Sequence, residues 1–131
     1  MAVMLTIPGR PVPAVRMTQG EAKLMRYGRP RSEALQKKYD RIKRYLDYKD
    51  TIGIIGRTKF KEPLKGKVQV SVGVYVSSGV VGDWDNYGKA ACDGLNKIAW
   101  KDDRQVKNGQ VIIYTCLEGA ERLEITIQEA G

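Results

Sequence analysis

The chain has 131 residues, with 23 Lys and Arg against 15 Asp and Glu, a net charge of +8 and no histidine. That length supports one domain and one hydrophobic core. The lack of histidine excludes Ser–His and Cys–His nucleophile pairs, a histidine general base and the usual zinc sites, so any catalysis rests on carboxylates, lysine, tyrosine or an oxygen-bound metal.

No apolar run approaches the roughly 20 residues of a membrane span. The opening "MAVMLTIPGR" lacks the basic-then-apolar order of a signal peptide, so the expected location is the cytoplasm and no membrane partner is expected. Cys92 and Cys116 are too few for a disulfide framework and read as buried free thiols. The basic balance points toward a polyanionic partner, of which nucleic acid is the commonest.

Val3, Leu5 and Ile7 alternate before Pro8-Gly9, the pattern of a short first strand. Residues 10–30 are rich in proline and glycine and have no clear period. They read as a long loop carrying Arg10, Arg16, Lys23, Arg26 and Arg29. Ser32 is placed to cap a helix. In that helix Leu35, Tyr39, Ile42 and Leu46 share an apolar face, and Lys37, Lys38, Arg41 and Arg44 lie mainly opposite. Few acids are interleaved, so loop and helix together are the expected phosphate-binding surface.

Residues 47–66 carry turn signals and read as the helix end and a connecting loop. "KVQVSVGVYV" is the clearest strand, with Val68, Val70, Val72, Val74 and Val76 on one face. "QVIIYTCL" and "RLEITIQ" are two further strands joined by "EGAE", and they read as a hairpin. The elements together predict a single α+β domain over residues 1–131, a small mixed sheet packed with two or three helices.

Between these strands lies "GDWDNYGKAACDGLNKIAWKDDRQV", from Gly82 to Val106, which gathers Asp83, Asp85, Asp93, Asp102 and Asp103 in an otherwise basic chain. In extended backbone, residues two apart point the same way, so Asp83 and Asp85 repel unless a cation lies between them, and magnesium and manganese prefer such oxygen ligands. Asp85 or Asn86 can cap the following helix, whose predicted buried face is Tyr87, Ala91, Leu95 and Ile98. Lys89 follows Asp85 by one turn, and Asp93 continues the row.

A third carboxylate from Asp102–Asp103 reaches the pair if the helix ends near Asn96, because eight extended residues span up to about 27 Å. Structural roles compete at each position: a cap for Asp85, an ion pair for Asp93, a solvated turn for Asp102–Asp103.

The segment resembles the signature of the RusA family of Holliday-junction resolvases: D-x-D-N, a lysine three residues on, an aspartate four further, then D-D-x-Q-V. A short first strand ending in proline–glycine, a basic loop and helix, a strand before the acids and a final "RLEITIQE" extend the likeness over nearly the whole chain. The resemblance implies a small dimeric endonuclease, often phage-encoded, that depends on magnesium, with manganese able to replace it, and acts on branched DNA, above all four-way junctions.

It also implies that Asp83, Asp85 and Asp103 are catalytic, metal-binding acids and that Lys89 is an essential basic residue of the site. Asn86, Asp93 and Asp102 match the pattern without an implied role. Contacts from Arg10, Arg16, Arg26, Arg29, Lys37, Lys38, Arg41 and Arg44 to DNA rest on charge alone. Broader cleavage of branched DNA, or DNA binding without catalysis, is the alternative function.

Overall fold

The computed structural model describes residues 2–27, 32–79 and 81–130. Its centre is the valine-alternating strand β2, Val68–Val76, whose five valines are each no more than 6% exposed. Strand β1 is Ala2–Pro8, β3 is Val106–Thr115 and β4 is Arg122–Glu129. They form one mixed four-stranded sheet in the order β1-β4-β2-β3. β4 runs antiparallel to both β1 and β2, and β3 runs parallel to β2.

β3 and β4 are therefore not the expected hairpin. β2 lies between them, and residues 116–121 carry the chain across it. Alternation and turn residues mark both strands, but the partner is chosen by burial. Placed next to β2, Leu123, Ile125 and Ile127 of β4 line up with Val74, Val72 and Val70 and become fully buried.

Three helices complete an α+β domain: α1 (Gln19–Tyr27), α2 (Glu33–Lys59) and α3 (Trp84–Leu95). The helix α1 falls inside the segment expected to be loop. Thr18 starts it, its Oγ1 accepting from Glu21 N at 3.1 Å. Ser32 caps α2 as expected, accepting from Leu35 N at 3.2 Å.

The helix α2 then continues 27 residues, through the segment read as a connection. Gly53 and Gly56 were turn signals in the sequence, but here they are contact surfaces. A Cβ on Gly56 would stand 2.7 Å from Leu95 Cδ2, and one on Gly94 of α3 would stand 2.7 Å from Ile52 Cγ2. The glycines let two helix backbones approach closely, and the burial gained there outweighs their poor helix propensity. The buried face of α2 is Ile42, Tyr45, Tyr48, Ile52, Gly53 and Gly56. Of the predicted apolar stripe, Ile42 is buried, whereas Leu35 is 41% exposed.

The main core joins the valine face of β2 and the inner residues of β1 and β4 to Ile52, Tyr87, Ala91, Leu95 and Trp100. Both cysteines are free and half-buried. Among the described residues no helix is long and apolar enough to cross a membrane.

The helix contact yields a direct prediction. Gly94→Val drives a branched side chain into Ile52, so urea unfolding should show a loss of about 1–3 kcal/mol. Gly20→Ala, in α1 with only Thr18 Oγ1 at 3.8 Å, should be neutral or gain up to about 1 kcal/mol from helix propensity. Equal effects at the two sites would refute the packing role of Gly94.

Candidate active site

The chain leaves β2 at Val76, turns through Gly79 at a φ of +89° and enters α3 at Trp84. Arg10 braces this exit, donating to Ser78 O and, at 2.8 Å, to Glu121 Oε2. Its charge is thus engaged by Glu121, a partner that its place in a basic loop did not indicate. Gly82 N donates to Tyr87 Oη at 3.1 Å, and Ala14 N donates to Asn86 O at 2.9 Å. The second bond ties the residue 10–16 loop to the start of α3, while the first closes the segment that leads into the helix.

Asp83 occupies the N-cap position of α3, yet its side chain makes no capping hydrogen bond. Neither Asp85 nor Asn86 is the cap. A residue one place earlier starts the helix, which leaves Asp85 in the first turn, where the helix dipole favours a carboxylate. Asp83, Asp85 and Lys89 are all exposed. Together with Asn86, Ala14 and Arg16 they line a cavity of about 400 Å³. The sequence-predicted acid pair, lysine and asparagine thus share one site, and Arg16 adds a second cation that the sequence indicated only as part of a basic loop.

Asp103 does not line that cavity. Its Oδ1 accepts from Nε1 of the fully buried Trp100 at 2.8 Å, and its charge acts on Cys92 near the far end of α3. A groove between α3 and β3 has Asp85, Gly88, Cys92 and Val111 among its lining residues. Among the described residues, no three His, Cys, Asp or Glu side chains are grouped closely enough to hold one metal ion.

Asp102 and Asp93 have visible structural work. Asp102 accepts from Arg104 N at 2.8 Å and pairs with Arg104 Nη2 at 3.1 Å, which holds its carboxyl below the usual range. It caps a short 3₁₀ turn, Asp103–Gln105, whose capping box is completed by Gln105. Gln105 Oε1 accepts from the Lys101 and Asp102 amides, while its Nε2 donates to Leu64 O and Gly66 O. Asp93 Oδ2 accepts from the buried Tyr45 hydroxyl at 2.7 Å, tying α3 to α2. Burial, followed by this carboxylate, raises the Tyr45 pKa.

Trp100, Gln105 and Tyr45 are the partners that sequence reasoning missed. The D-D-x-Q-V spacing was the available signal for Gln105, since Asp102 and Gln105 are three apart, as a capping box requires.

The basic surface is divided. Lys38 is paired with Glu21 at 2.6 Å. Lys37, Arg41 and Arg44 are exposed. Arg29 and the side chain of Arg26 lie outside the described residues. Arg41 and Arg44 border a second cavity of about 580 Å³, with Arg10, Pro11, Val12, Pro13, Gly82 and Tyr87.

Two acids and a lysine thus share a cavity at a helix start on a basic domain. The family model for endodeoxyribonuclease RusA matches residues 8–128. The chain belongs to the RusA endodeoxyribonuclease family. No curated protein aligns with it significantly. RusA proteins act on branched DNA junctions as Holliday-junction resolvases, so this chain is a nuclease by family, and the cavity at Asp83 and Asp85 lies inside the matched region.

The thiol of Cys92 supplies a pH prediction. Burial, helped by Asp103 and Asp93, pushes it up to about 11 from a reference value of 9.0. Below pH 9 the thiol is protonated in both states. Above it the unfolded thiol ionises first, so stability should fall between about pH 9 and 11. Cys92→Ala should flatten that part of a denaturation-midpoint profile. An unchanged slope would assign it to the buried tyrosines.

Proposed function

We propose that the protein is a magnesium-dependent, structure-selective endonuclease that resolves Holliday junctions by paired nicks, with Asp83, Asp85 and Lys89 at its catalytic centre. The observation that carries this reading is the cavity where two exposed carboxylates, neither used as a cap, meet Lys89 and Arg16. The helix dipole accounts for a carboxylate in the first turn, but not for a second acid that makes no capping hydrogen bond and shares a cavity with two cations.

The donor set fits a hard divalent cation. Magnesium is commonly held by one or two carboxylates, with water and substrate phosphate oxygens filling its other positions. Asp83 and Asp85 would hold it, and manganese would replace it with the same ligands. When bound, such an ion lowers the pKa of water and stabilises charge on the phosphoryl oxygens.

The remaining work falls to the chain itself. Lys89, one helical turn from Asp85, faces the phosphate with a compact positive charge that opposes the charge developing in the transition state. Arg16 offers a planar fork to a neighbouring phosphate oxygen. Asn86 is fixed through its backbone carbonyl by Ala14 N, which keeps the loop carrying Arg16 against the acids. Asp103 joins the catalytic set on its position in the family motif rather than on proximity. The exposed Lys37, Arg41 and Arg44 extend the positive surface for the DNA arms.

A four-way junction has approximate two-fold symmetry, and paired nicks need two equivalent sites. A closed homodimer supplies them. Light scattering at micromolar concentration should give twice the chain mass, and a monomer that makes paired nicks would refute the dimer.

Asp83→Asn, Asp85→Asn and Asp103→Asn should each abolish cleavage of a labelled four-way junction in magnesium, with an unchanged thermal midpoint. Metal-free binding by the first two should persist or tighten, because carboxylate–phosphate repulsion is relieved. Lys89→Ala should lose cleavage without tighter binding. Normal cleavage by the Asp83 or Asp85 variant would overturn the assignment. For Asp103→Asn, retained cleavage with a lowered midpoint would show that the carboxylate serves only to anchor Trp100.

A further inference from the structure

The residue 10–16 loop separates two cavities rather than bordering one. Ala14 and Arg16 face the acidic cavity, while Arg10, Pro11, Val12 and Pro13 face the larger one. The opposite wall divides at the same level: Asp83 belongs to the first and Gly82 to the second. The partition is thin and packed. A Cβ on Gly82 would stand 3.0 Å from Pro13 Cγ, the Ala14–Asn86 hydrogen bond ties the loop to α3, and the Gly82–Tyr87 hydrogen bond holds the wall that the loop packs against.

The second cavity has a mixed character that a plain phosphate-binding surface does not need. Arg41 and Arg44 stand exposed on α2, and among the described residues neither makes an ion pair. Pro11, Val12, Pro13 and the buried Tyr87 supply an apolar part of the same lining. Its volume of about 580 Å³ falls within the roughly 300–1,000 Å³ of sites that enclose a small organic ligand. A guanidinium binds phosphate bidentately or stacks on a flat π-system, and a proline–valine wall excludes water from one face of such a system.

We propose that this cavity holds one unstacked nucleotide of the cleaved strand, adjacent to the phosphate cut at the acids, with its base between the Pro11–Pro13 wall and the Arg41 and Arg44 side chains. The inference rests on the nuclease reading of the neighbouring site and adds a second contact point on the same strand. It also supplies a physical basis for preferring branched DNA. Lifting a base from a continuous duplex costs unpairing and unstacking, and the cost is least where those contacts are already interrupted. At a junction crossover the stacking between arms is already interrupted, so that part of the cost is removed, whereas linear duplex is stacked throughout.

The test is an abasic scan. Four-way junctions carry a single abasic residue at each of the two positions on either side of the cut. Cleavage rates and equilibrium binding in metal-free buffer are measured for wild type and for Arg44→Ala. At one position the abasic residue should lower wild-type kcat/KM, and weaken binding, by roughly 5- to 150-fold, the worth of one base stack. In Arg44→Ala the intact junction should already have lost most of that factor, leaving an abasic penalty under about 3-fold at that position.

Uniform tolerance of abasic residues would overturn the proposal. So would a penalty of equal size in both proteins, which would locate the base elsewhere. A loss caused by Arg44→Ala on every DNA with no abasic effect would identify a phosphate contact only and would also overturn it. If no junction is cut, the nuclease reading fails by itself, and the binding comparison still decides whether the cavity holds a base.

Discussion

The parallel pairing of β2 with β3 is the constraint on which the rest of the structure depends. Antiparallel neighbours can be joined by a tight turn, but parallel neighbours need a crossover long enough to return the chain to the starting edge. Here the crossover is the acidic segment itself. It leaves the C-terminal end of β2 with Asp83 and Asp85, runs through α3, and enters the N-terminal end of β3 just after Asp102 and Asp103. The helix of 12 residues rises about 18 Å. The topology therefore places the two acidic groups toward opposite ends of one helix. The chain between Asn96 and Asp103 is long enough to fold back, but pairing with β2 directs it to the start of β3 instead.

That geometry separates residues that the motif places in one line. Asp83 and Asp85 face solvent and share a cavity with Lys89 and Arg16. Asp102 and Gln105 form the cap that turns the crossover into β3, with Gln105 also securing the Leu64–Gly66 segment. Asp93 holds α2 through Tyr45. The motif therefore combines exposed carboxylates at a cavity with polar side chains that satisfy backbone groups at a chain reversal. Asp103 stands at the boundary between them, exposed and yet anchored to a fully buried indole.

The helix layer supports the same site from beneath. Close contact of α2 with α3 through Gly53, Gly56 and Gly94 fixes the height of α3 above the sheet. It also presents Arg41 and Arg44 beside the loop that carries Arg16. Basic and acidic groups thus meet at one edge because two helices share a glycine-lined contact. On the proposed reading, the cations would gather phosphates along the strand and the carboxylates would mark the phosphate at which a divalent ion acts.

Much of this was legible in the residues alone. Valine alternation defined β2, Ser32 marked the start of α2, Asn96 the end of α3, and the D-x-D-N-x-x-K spacing brought Asp83, Asp85, Asn86 and Lys89 to one place, because one helical turn is a local property. Three features depended on contacts remote in sequence. The partner of β3 was decided by which strands could bury Leu123, Ile125 and Ile127. The continuation of α2 past Gly53 was decided by the surface of α3, against the local preference of glycine. The separation of Asp103 from Asp83 was decided by strand order. Local spacing determines which side chains share a turn or a face, whereas strand order and helix contacts are settled only by the apolar area that the whole chain buries.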